Sequence, residues 1–131
     1  MSIESYCQRI YKYTNFSPEC LIIALIYFDR YNMEEEEFYL NQSNAFRILL
    51  GCLVLSVKFN DDKYYDNEAF GKAGGVSLAE LFNFELEIAE KLEFKFFVTA
   101  DEYETLLERL TEAYVEQWFY TILLWQLIII S

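Results

Sequence analysis

The sequence predicts an all-α domain, and three observations carry that reading. Only four Gly and one Pro occur in 131 residues, too few for many β-turns or long loops. No segment shows the strict alternation of a half-buried strand. The stretch Phe46–Asp62, FRILLGCLVLSVKFNDD, lies on an almost unbroken apolar run from Ala45 through Phe59. A helix that is apolar all round belongs in the middle of a helical domain, not on its surface. At this length the chain makes one domain able to bury a single core. The pattern reads as five helices, two of them central.

Each element has its own signal. Ile3, Tyr6, Cys7, Ile10, Tyr11 and Tyr13 follow helical spacing and make the first helix. Ser17-Pro18-Glu19 starts the second, with Ser at the N-cap, Pro at the first helical position and an acid in the first turn. It continues as CLIIALIYFDRY, apolar nearly all round. Glu34–Glu37 is a run of like charge and reads as a solvated loop or frayed turn. Asn41–Asn44 offers caps for the central third helix. Asp61–Gly75 is polar and Tyr-rich, with one short turn of helix at Asn67–Lys72, and Gly74-Gly75 breaks the chain. Ser77 and Glu80 form a capping box that opens a helix to about Leu92. Phe94–Val98 is a short apolar bridge. A last helix runs from Thr99 to about Tyr114, capped by Thr99 with Glu102 or by Asp101 with Glu104.

Composition narrows the function. The net charge is −12 and histidine is absent. An acidic chain lacks the basic stripe that phosphate backbones require, so no nucleic acid is expected as a partner. Without His there is no Ser-His or Cys-His couple and no histidine metal ligand. Gly71–Gly75 lacks the ending of a phosphate-binding loop. Asp61, Asp62 and Asp66 fail the calcium-loop spacing. No catalytic residue, metal, cofactor or small-molecule substrate is expected. Cys7, Cys20 and Cys52 are odd in number and have no CxxC spacing, so they read as buried thiols in a reducing compartment. Met1–Thr14 is too polar for a cleavable signal peptide. An intracellular place, cytoplasmic or nuclear, follows as the expectation.

One polar residue stands out. Lys58 closes the apolar third helix, where the core meets solvent. A binding residue would sit there, and so would a lysine that only complements the helix C-terminus.

Several segments together resemble a cyclin box: Gln8-Arg9-Ile10-Tyr11-Lys12-Tyr13-Thr14, Ser17-Pro18-Glu19-Cys20, Tyr27-Phe28-Asp29-Arg30-Tyr31, Ser56-Val57-Lys58-Phe59-Asn60-Asp61-Asp62, Gly74-Gly75-Val76-Ser77 and Glu85. Their order and spacing are similar to the single-box P-type and U-type cyclins, the group linked to phosphate-response kinases. The resemblance covers roughly residues 3 to 110. It implies a five-helix bundle around a central third helix, over residues 1–114. It also implies a non-catalytic regulatory subunit, in nutrient signalling or the cell cycle. Such a subunit binds a cyclin-dependent protein kinase as a heterodimer and positions the kinase αC helix, whose Glu pairs with the Lys that holds ATP phosphates.

Residue by residue, Lys58 matches the lysine that closes the third helix of the box, and Glu85 matches the glutamate on its fourth. In the family these two bond to backbone near the kinase αC helix. Otherwise Glu85 is one acid among Glu80, Glu85, Glu87 and Glu90 on a solvated face. Phe59, Tyr64 and Tyr65 are aromatic anchors beside Lys58, while Phe28 reads more readily as core. The resemblance also implies a structural ion pair between Arg9 and Asp29, holding the first helix to the second. Gln8 stands where the apolar substrate-docking patch of some two-box cyclins needs a hydrophobic residue, so that docking is not expected.

The alternative is a helical interaction or scaffold protein that keeps the fold without a kinase. The two readings part at Lys58 and Glu85. One exposed face shared by both supports the kinase, whereas pointing apart or pairing internally weakens it. Residues 115–131 stand apart from the box. Trp118–Ile130, WFYTILLWQLIII, is broken only by Thr121 and Gln126 and falls short of the ~20 residues that span a bilayer. It reads as an extra helix packed on the box, as a surface that pairs with another chain, or as a membrane-associated or non-native end. A membrane is not the expected partner.

Overall fold

The computed structural model describes residues 3–34, 42–61 and 67–114. Six helices order them: α1 Ile3–Thr14, α2 Pro18–Glu34, α3 Gln42–Asn60, α4 Asn67–Gly74, α5 Leu78–Lys91 and α6 Ala100–Tyr114. No strand occurs among the described residues. The four long helices after the first start and stop within a few residues of their sequence signals. The expected single turn at Asn67–Lys72 is a full eight-residue helix. Phe70, buried to 1% exposure, anchors it to the core.

The centre is α3. Every residue from Leu49 through Val57 is buried, as a helix apolar on all faces must be. It packs most extensively on α2 and then on α5, while α1 lies chiefly on α4, and α6 on α2. Small residues let α2 and α3 approach. The Ser56 hydroxyl, fully buried, donates to the Cys20 carbonyl at 2.7 Å, so a buried polar group is satisfied across the interface. Gly51 lets α5 approach α3: a Cβ there would collide with Ile88 Cδ1. At the end of α4, a Cβ on Gly74 would meet Leu50 Cδ2 at 2.5 Å and the Tyr6 hydroxyl at 2.9 Å. That hydroxyl donates to the Gly74 carbonyl at 3.0 Å and ties α1 to the turn.

The helix ends follow their cap chemistry. Ser77 accepts the Glu80 N–H at 3.1 Å. For α6 the choice falls on Thr99 with Glu102. Thr99 Oγ1 accepts the Glu102 N–H, and the Glu102 carboxylate accepts the Thr99 N–H at 3.2 Å, the reciprocal capping box. Asp61, just past α3, accepts the Ser17 N–H at 3.1 Å, placing a carboxylate at the start of α2. After α5 the chain turns through Glu93 and Phe94, both left-handed with φ of 54° and 58°. Trp118–Ile130, Tyr64, Tyr65 and most of Glu34–Glu37 lie outside the described residues.

Candidate functional site

Two elements build the site. The last turn of α3 carries Lys58. The inner face of α5 carries Leu81, Glu85, Ile88 and Ala89, all buried. Glu85 is therefore a carboxylate set in an apolar stripe, only 6% exposed. Lys58 reaches over it and donates from Nζ to Glu85 Oε2 at 2.9 Å. The lysine side chain is 41% exposed, the glutamate 8%.

A buried carboxylate needs a partner, because desolvating an unpaired charge costs several kcal/mol. Lys58 provides one, but only for half of the group. Glu85 Oε1 is buried and has no hydrogen-bond partner among the described residues. Leaving a buried acceptor unmade costs about 1–3 kcal/mol, more for a charged group, and native proteins keep few such atoms. The ammonium is an exposed donor with three N–H groups. The pair thus offers an acceptor and spare donors side by side.

Apolar surface is exposed around these elements. Phe59, next to Lys58, is 58% exposed and stacks on Phe96 with ring centroids 4.2 Å apart. Phe82, three residues before Glu85 and one turn away on α5, is 60% exposed, and Leu86 is also exposed. Sequence reasoning missed Phe82, Leu86 and Phe96. The recurrence of Leu78, Phe82 and Leu86 every fourth residue was the available signal.

The expectations fare differently. Lys58 and Glu85 come together at one face. They also pair with each other, the outcome that weighs toward an internal role. Phe59 is exposed, whereas Phe28 is partly buried against the core. The expected Arg9–Asp29 pair is not formed. Both side chains are exposed, and no ion pair joins them. The reason is packing: α1 rests on α4 rather than along α2, and Arg9 lines a groove on that side. The arginine that ties elements together is the neighbouring Arg30. Its guanidinium meets Glu102 at 2.6 Å and donates to the Lys95 and Phe97 carbonyls, each at 3.2 Å.

Among the described residues, no cluster of three Cys, Asp or Glu is arranged to hold a metal. No described helix is long and apolar enough to cross a membrane.

Comparison with known proteins agrees with this architecture. The family model described as Cyclin matches residues 1–99. The chain belongs to the cyclin family. It is similar to Cyclin-U4-1 of Arabidopsis thaliana, with 37% identity over 99 residues, 76% of this chain and 49% of the relative. It is also similar to Cyclin-P3-1 of Oryza sativa subsp. japonica, with 35% identity over 95 residues, 72% of this chain and 40% of the relative. Cyclin-P4-1 of the same rice is 34% identical over 99 residues, covering 76% and 47%. The chain spans about half the length of these curated relatives. The short α4 shifts the count of helices, so the glutamate expected on the fourth helix of the box sits on α5 of this cyclin.

Proposed function

We propose that this cyclin is a non-catalytic regulatory subunit that binds a cyclin-dependent protein kinase through the face around Lys58 and Glu85, inside the cell. The observation that carries the reading is Glu85 Oε1, a buried carboxylate oxygen without a partner among the described residues. A backbone N–H from a partner would satisfy it. A carbonyl from the same partner would take a free donor of Lys58. Charge-assisted bonds of this kind are about twice as strong as neutral ones and fix register. The exposed rings of Phe59 and Phe82 supply apolar area beside them, the usual company of a central anchor. Contacts made to only one position of the αC helix would bias the kinase toward its active state.

The 2.9 Å Lys58–Glu85 pair favours the second reading, a helical scaffold without a kinase, because each charge already has a partner. A pull-down from source-cell lysate separates the two. Wild type should enrich a kinase of the cyclin-dependent group with activity on the beads. The Lys58→Ala/Glu85→Ala variant, shown to be folded by circular dichroism, should not. A folded variant that binds as well as wild type overturns the assignment of the site. Absence of any kinase on the wild type supports the scaffold.

A further inference from the structure

We propose that the groove between α1 and α4 docks a phosphorylated peptide side chain, with Arg9, Lys12 and Lys72 as its ligands. The groove has a volume of about 640 Å³. Arg9, Lys12 and Tyr13 line it from α1, and Ala69, Lys72 and Ala73 line it from α4. Positions 5, 8, 9, 12 and 13 share one face of α1, spaced three and four residues apart. The small Ala69 and Ala73 leave the α4 side open.

Charge makes this groove unlike its surroundings. The whole chain carries −12 and has only ten Lys and Arg. Three of those ten line this groove, and no described residue that lines it is acidic. Arg9 and Lys12 are exposed and make no ion pair among the described residues. Lys12 sits 5.9 Å from the Tyr13 ring, a contact that leaves its N–H groups available. Among the described residues Lys72 has only a loose, exposed contact with Glu68 at 3.4 Å, worth little in water.

The occupant follows from the same numbers. A peptide bearing many carboxylates would be repelled by the acidic molecule as a whole. A single phosphoryl group brings about −1.5 to −2 charge and three acceptor oxygens within one side chain. It gains the local attraction of three cations while adding little to the long-range repulsion. The Arg9 fork suits it bidentately, with the two lysines as point charges. No described groove residue belongs to α3 or α5, so this docking is independent of the Lys58–Glu85 face.

Amide chemical-shift titration of the full chain tests it. The probes are a degenerate peptide library with one fixed phosphoserine, the same library unphosphorylated, and inorganic phosphate. The phosphorylated library should shift amides of α1 and α4, and Arg9→Ala/Lys12→Ala should weaken it at least tenfold. Lys72→Gln should weaken it less, while both variants recover the kinase of the pull-down as wild type does. No shift, equal binding of the unphosphorylated library, equal binding of inorganic phosphate alone, or an unaltered affinity in the double variant would each overturn the proposal.

Discussion

Arg30 on α2 and Glu102 on α6 meet at 2.6 Å, and this contact ties α6 to the helix it packs on. The same guanidinium takes the Lys95 and Phe97 carbonyls, so one side chain holds the bridge between α5 and α6. Glu102 also caps α6 through Thr99. The Arg30 bond, then the Thr99 N–H, hold the Glu102 carboxyl below its ordinary value of 4.5.

Arg30→Ala should therefore destabilise the fold by about 1 kcal/mol, on the scale of an exposed pair with good geometry. The pH dependence has a definite sign. A carboxylate whose folded value is depressed contributes stability above its unfolded value and loses it as pH falls through the folded one. The gap between wild type and Arg30→Ala should be full at neutral pH and shrink below 4.5. Urea unfolding at neutral and acid pH measures it; a gap that grows in acid contradicts the assignment.

The two close-approach glycines should respond unequally. Gly74→Ala forces a methyl against both Leu50 and Tyr6, groups on two elements that are buried. Overpacking of this kind costs about 1–3 kcal/mol. Gly51→Ala meets one side-chain terminus, Ile88 Cδ1, at less than 3 Å. It also gains up to about 1 kcal/mol of helix propensity. Thermal unfolding should rank Gly74→Ala as the more damaging of the two.

Glu93→Gly should be mildly stabilising, by about 0.5 kcal/mol. Its φ of 54° is left-handed, which costs an L-residue about 1–2 kcal/mol. Glycine gives part of this back through its freer unfolded chain. The lost Glu93–Lys95 pair is exposed on both sides and counts for little. Chemical denaturation checks the sign.

The thiols should be silent in the native state. Burial, then the nearby Asp61 carboxylate, pushes Cys20 up to about 12, and burial raises Cys52 further. Cys7 is buried as well. Since the thiolate is the reactive form, alkylation at pH 8 followed by mass spectrometry should find all three unmodified until the protein is unfolded.

What could be read from the sequence depended on how local the signal was. The central α3 was legible because Ala45–Phe59 leaves no polar face to put in water. The caps at Ser77 and Thr99 were legible because each needs only residues three apart. α4 was under-read, since its short, small-residue sequence hides that Phe70, with Ala73, seats it in the core. The Arg9–Asp29 pair failed because spacing along the chain does not say which helix α1 lies on. Glu85 was found through the family resemblance, while its burial was legible and passed over. Leu81, Glu85, Ile88 and Leu92 fall on one helical face, so the carboxylate had to enter the core stripe. Its orphaned oxygen belongs to three dimensions alone.

The most direct test concerns that oxygen. The affinity of the kinase recovered by pull-down should be measured for wild type and Glu85→Gln by surface plasmon resonance, with folding verified in parallel. A bond from a partner N–H to the charged oxygen is worth about 1.5–3 kcal/mol. Glutamine keeps a neutral acceptor worth about 0.5–1.5 kcal/mol, so the expected loss is the difference, about 1 kcal/mol or roughly fivefold in affinity. A folded Glu85→Gln variant with wild-type affinity would contradict it and assign Glu85 to the core alone.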